Sequence, residues 1–147
     1  PRSFCAALSH AAENTREDAS LVLDYKAIQA GVREASKIRV DELITEDYPW
    51  VDTVMQPLRG NLTVPCSAED IRNLWDKGRS LAGLESSLKK SSADVKLPPP
   101  SLEPDAVLNS LQALGLLTRI DRDRIQMPDV YRIAFGLGRR GGVKPLK

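Results

Sequence analysis

Cysteine, histidine and aromatic residues are all scarce in this sequence. Cys5 and Cys66 are its only cysteines and His10 its only histidine, too few and too scattered for a disulfide framework or a zinc site. Both cysteines are expected as reduced, buried or half-buried small hydrophobes. His10 has only the distant Glu13 as an acidic neighbour, which fits a surface or helix-end histidine better than a ligand. With seven aromatics in 147 residues, the core must rest mostly on Leu, Val, Ile and Ala. No apolar run approaches the roughly 18 residues of a membrane span. The start lacks the basic-then-apolar order of a signal peptide. A soluble, cytoplasmic protein with no membrane partner is the expectation. A proline stands where an initiator methionine would, so the chain is expected to be processed or part of something longer.

What is present is 41% hydrophobic and 28% charged, enough for one domain, or one small domain with an appendage. A chain of this size buries roughly 68–70% of its unfolded surface, so a self-sufficient core is feasible. Net charge is only +1, but it is unevenly placed. From Leu117 onward there are eight Lys/Arg and three Asp; the remainder has thirteen Lys/Arg against seventeen acids. A basic end of this kind suits contact with phosphates. It suits docking on an acidic neighbour equally well.

The most informative stretch runs from Leu102 to Pro128. Glu103-Pro104 opens a helix, because proline's fixed φ and missing N–H suit the first turn. Val107, Leu108, Leu111 and Leu114 then form one apolar stripe, and Gly115 stands where a left-handed C-cap belongs. Two β-leaning runs follow, 116–120 and 124–127, joined by Asp121-Arg122-Asp123. Upstream, Arg2 to Leu8 starts a short helix with Ser3 as N-cap and Phe4, Leu8 and Ala12 on one side. The polar 13–20 stretch reads as a loop or a frayed helix end. A longer helix is predicted from Asp24 to about Glu46, with Ile28, Val32, Ala35, Ile38 or Arg39, and Leu43 on its buried face. Gly31 weakens its first half. Trp50, Val51, Val54, Met55 and Leu58 line a shorter helix, which ends or kinks at Pro57. Leu62 to Val64 is an extended piece. Ser67-Ala68-Glu69-Asp70 has the form of a capping box, so a helix starts at Ala68 with Ile71, Leu74 and Trp75 inside. A second helical run from Arg79 to about Lys90 carries Leu81, Leu84 and Leu88. Residues 91–101, with three consecutive prolines, form an extended linker. A last helix is predicted from Pro128 to Gly138, followed by a basic flexible tail, 138–147.

In order, these elements predict a mainly α fold: a helical segment over 1–48, then a winged helix-turn-helix with a small β-hairpin wing over 49–147. About 25 residues separate the second and third helices of the motif, where a tight turn is usual. Trp50 and Trp75 are expected as core anchors, and Tyr48 as a candidate exposed aromatic. Asp121 and Asp123 should stabilise their turn through its backbone. Arg119, Arg122 and Arg124 form a wing cluster in which Arg122 and Arg124 share a face. The motif's third helix offers Asp105, Asn109, Ser110 and Gln112 but no cation. Asn109 and Gln112 could read adenine edges, yet without cationic support their affinity would be poor. Arg139, Arg140 and Lys144 supply further candidate contacts to a partner or to phosphates.

Pro1-Arg2 heading a helix with Phe4, Ala7, Leu8, Ala11 and Ala12 resembles the helical lid of bacterial AAA-type and related P-loop ATPases. A lid followed by a winged helix is similar to the C-terminal half of such proteins. The resemblance implies that Arg2 reaches nucleotide phosphates and that ATP and magnesium serve a parent protein. No phosphate loop is present in this sequence. The glycine-rich 136–142 follows a helix and lacks the lysine-serine pair, so this chain alone is expected to need no cofactor and to hydrolyse no ATP. The expected role is a non-catalytic, regulatory or protein-interaction winged-helix module whose partner is a protein or the ATPase core. The alternative is a regulator that binds double-stranded DNA through wing and tail.

Overall fold

A computed structural model describes residues 2–15, 24–42, 47–90 and 101–140. Helices dominate these residues, in the order α1 (Arg2–Glu13), α2 (Tyr25–Glu42), α3 (Trp50–Met55), α4 (Ala68–Gly78), α5 (Ser80–Lys90), α6 (Pro104–Ala113) and α7 (Asp129–Ala134). Four two-residue strands complete the set: β1 (Thr63–Val64), β2 (Thr118–Arg119), β3 (Ile125–Gln126) and β4 (Gly138–Arg139). Most of the 13–20 and 91–101 stretches, Leu43 and Lys144 lie outside the described residues.

The core follows from periodicity. Trp50, Val51, Val54 and Met55 are all buried on α3, and Leu58 on the 3-10 turn that continues it. From α4 come Ile71 and Trp75, and from α6 Val107, Leu108 and Leu111. Trp75 Nε1–H donates to the Val54 carbonyl at 2.7 Å, so the indole joins α4 to α3 through its polar edge as well as its apolar body. Tyr48, read from sequence as a candidate exposed aromatic, packs against this core. Helix α5 joins this core without a break after α4. Arg79 takes a left-handed φ of 50° at the C-cap of α4, α5 starts at once, and Leu84 enters the core.

The N-terminus of α4 is a complete capping box. The Ser67 N–H donates to Asp70 Oδ2 at 2.9 Å, the Ser67 hydroxyl donates to the same oxygen at 2.8 Å, and the Asp70 N–H donates to Ser67 Oγ at 3.1 Å. These bonds, the backbone one first, hold the Asp70 carboxyl below the usual carboxylate range. A depressed carboxyl stabilises the fold above its unfolded pKa, near 3.9. That contribution is lost as pH falls through the lower folded value. Ser67→Ala should therefore cost about 1 kcal/mol at neutral pH. The deficit should narrow under acid, where Asp70 becomes protonated. Urea unfolding at pH 7 and pH 3 measures it, and equal stability of the two proteins at pH 7 would contradict the capping account.

Downstream, Gly115 turns the chain at φ 72°. β2 and β3 then pair antiparallel, with Thr118 opposite Gln126 and Arg119 opposite Ile125. Cys66 joins this ribbon from the other side, exchanging backbone hydrogen bonds of 3.0 and 2.7 Å with Ile125.

Several expectations are corrected. β4 pairs parallel with β1, Thr63 opposite Gly138 and Val64 opposite Arg139, so the start of the supposed flexible tail is ordered strand. The last helix stops at Ala134 and turns through Gly136, two residues before the Gly138 stop. Helix α1 already contains Ser3; Ala11 is buried and Leu8 exposed, and the Phe4 side chain lies outside the described residues. On α2 the buried residues are Ala27, Gly31, Ala35, Ser36 and Val40; Ile28, Val32 and Ile38 face outward. The cause is the crossing with α1. A side chain at Gly31 would strike the Ala7 carbonyl, so α1 sits on the small residues of α2 and leaves the larger ones uncovered. Beyond that crossing, α2 packs on α7 and places Val40 in the common core.

Candidate functional site

Helix α6 and the β2–β3 ribbon present the residues that the sequence marks for contact. Pro104 at the first turn and Gly115 beyond the last bracket α6. Its inner face is spent on Val107, Leu108 and Leu111, which leaves Asp105 and Asn109 exposed. Gln112 is half-buried, and its Nε2 lies in the interior without a hydrogen-bond partner among the described residues, so it does not present its amide outward. Arg72 of α4 donates to Asp105 Oδ1 through Nε at 3.1 Å and Nη2 at 2.6 Å. An exposed pair of this kind adds about 0–1 kcal/mol, but it fixes one carboxylate on the outer surface of α6 and occupies the nearest cation.

The ribbon tip is built by Asp121. Its Oδ1 accepts the N–H groups of Asp123 at 3.2 Å and Arg124 at 2.9 Å, and its Oδ2 accepts Arg124 Nε at 2.7 Å. The Arg124 side chain, followed by the backbone donors, holds the Asp121 carboxyl below its ordinary range. This turn fulfils the expectation for Asp121 and ties Arg124 to it in an ion pair, while the Arg124 side chain stays exposed. Arg119 and Arg122 remain exposed with no ion-pair partner among the described residues.

The cations further along are also engaged. Asp129 accepts from Arg132 Nε at 2.7 Å and Arg139 Nη1 at 2.8 Å. Arg132 is buried and donates through Nη1 to the Leu137 carbonyl at 3.0 Å. Arg139 is thus a brace between α7 and β4, not a free contact. Arg140 gives its backbone N–H to the Val64 carbonyl, and it borders an open hollow of about 370 Å³ beside Cys66, Asp70 and Asn73. Arg2 opens α1; its side chain, like Lys144, lies outside the described residues.

Burial, then Asp70, pushes the Cys66 thiol up to about 11, which leaves it a poor nucleophile. Cys5 is exposed, contrary to the expectation for it. Among the described residues there is no cluster of three His, Cys, Asp or Glu that could hold a metal ion, and no helix long and apolar enough to cross a membrane.

Sequence reasoning missed three structural pairings, Arg72 with Asp105, Arg132 with Asp129 and Arg139 with Asp129. The Asp129-Arg132 spacing of three on a helix was a legible signal for that pair. Nothing local announced the other two, because each joins separate elements.

The chain matches no protein-family model, no curated protein and no solved structure.

Proposed function

We propose that this chain is a winged-helix interaction module without catalytic chemistry of its own, serving as the C-terminal regulatory part of a larger cytoplasmic P-loop ATPase. Support for the winged-helix reading lies in the order α3, β1, α4, α6, β2, β3 and in the Cys66–Ile125 pairing, which attaches the end of the β1 segment to the ribbon. Helix α5 is then an accessory packed against α3. Support for the ATPase setting is the lid-like character of the first helices.

One observation carries the choice of a protein partner over DNA. Helix α6, which would enter the major groove, has no Lys or Arg between Pro104 and Ala113 and carries the Asp105 carboxylate outward. Duplex affinity depends on cations that displace counterions from phosphates. The basic C-terminal third has its Arg124, Arg132 and Arg139 side chains already paired with Asp121 and Asp129. That leaves Arg119, Arg122 and Arg140 as the cations on this surface free of an ion pair among the described residues.

Anisotropy titration of a labelled duplex, run at physiological salt and then over a salt series, tests the choice. Affinity no tighter than about 10⁻⁴ M, the weak end of non-specific binding, is expected. Tight binding that Arg119→Ala, Arg122→Ala and Arg140→Ala together weaken, with a flatter salt dependence, would replace this reading with the DNA-binding one.

A further inference from the structure

Among the described residues, five of the six large hydrophobics with substantial exposure lie on the first two helices: Leu8, Tyr25, Ile28, Val32 and Ile38. Tyr25, Ile28 and Val32 follow one another at three and four residues and so share one face of α2. At the same spacing the face continues through Ser36 and Val40, which are 1% and 4% exposed in the half of α2 that reaches the core. One stripe therefore runs the length of the helix. Its C-terminal half is buried and its N-terminal half is open.

The geometry points to an amphipathic helix from a protein partner as the occupant of the open half, and we infer that α2 is the docking helix of this module. This rests on the interaction-module reading above and names its surface and its kind of partner. Two observations select a helix. The open residues continue the same stripe that is already buried within the chain, where α2 packs on α7, so helix-on-helix packing extends without a change of geometry. The patch is also small. Three side chains on α2 fall well short of the roughly 20–30 residues a side in a standard protein interface, which disfavours a stable second copy. They suit the few apolar anchors by which one helix seats on another. The buried part of the stripe is itself imperfect, since the Ser36 hydroxyl has no hydrogen-bond partner among the described residues. An unpaired hydroxyl weakens the closed half.

A stapled peptide with leucine at heptad core positions and balanced Glu and Lys elsewhere is a suitable probe. Titrated into the ¹⁵N-labelled chain, it should shift amides of 24–33 and of α1. Ile28→Asp with Val32→Asp should weaken binding about tenfold or more, with circular dichroism confirming that the exposed substitutions leave the fold intact. Arg119→Ala with Arg122→Ala should leave binding unchanged. Shifts confined to another surface, or none at about 1 mM peptide, would overturn the inference while leaving the module reading in place. So would a chain that sediments as a dimer and becomes monomeric on Ile28→Asp, because the occupant would then be a second copy. Tight duplex binding in the anisotropy experiment would remove the module reading itself.

Discussion

Replacing Trp75 with alanine is expected to lower stability by about 3–5 kcal/mol from lost burial and the cavity left behind. The indole is 1% exposed and its Nε1–H donates to the Val54 carbonyl at 2.7 Å. Removing that donor leaves a buried acceptor unpaired, a further cost of about 1–3 kcal/mol. Domains of this kind have about 5–15 kcal/mol in total, so a large part of the population should be unfolded at 37 °C. Trp75→Phe helps to separate the two contributions, because it removes the donor while keeping most of the apolar body. It should fall between wild type and Trp75→Ala in urea unfolding. A loss below about 1 kcal/mol for the alanine variant would mean that α4 is not anchored to α3 through this side chain.

The second large effect is local and has an unusual sign pattern. In an isolated helix, Gly31→Ala should stabilise α2 by about 1 kcal/mol. In the folded chain the added methyl would collide with the Ala7 carbonyl oxygen and crowd the Ala11 N–H, and such overpacking costs about 1–3 kcal/mol. Hydrogen exchange should therefore show α1 amides losing protection by about tenfold or more, α2 remaining helical, and α3 to α7 unchanged. Such a division is expected because α1 makes its contacts chiefly with α2. A raised melting temperature with α1 protection intact would refute the close crossing.

Gly31 also shows where sequence reasoning reached its limit. Read alone, it is a poor helix former, and the aliphatic Ile28, Val32 and Ile38 look like the buried face. The small face was chosen because close backbone approach between two helices outweighed side-chain size, and only the partner helix reveals that. The elements governed by local chemistry were legible: the Ser67 capping box, the Pro104 start and Gly115 end of α6, the Asp121 turn, and the apolar runs of α3 and α4. Less legible were pairings between distant segments. Nothing near Gly138 announces a parallel partner at Thr63. Nothing in the arginine-rich C-terminal third shows that Asp129 answers Arg139 as well as its helical neighbour Arg132. Formal charge counts Arg124, Arg132 and Arg139 as free cations, whereas each is ion-paired in the folded chain.

The β1–β4 pairing bears on how the molecule is made. Thr63 and Val64 find their parallel partners in Gly138 and Arg139, and the Asp129 brace that steadies β4 comes just before them. On a ribosome, α3 and α4 emerge long before this closure can occur. The final register must then be set after residue 139 clears the exit tunnel, a late, non-local step of the kind that slows folding. A fusion appended after the last residue leaves that order of events intact, whereas a stop codon before Gly138 would leave β1 permanently without its mate.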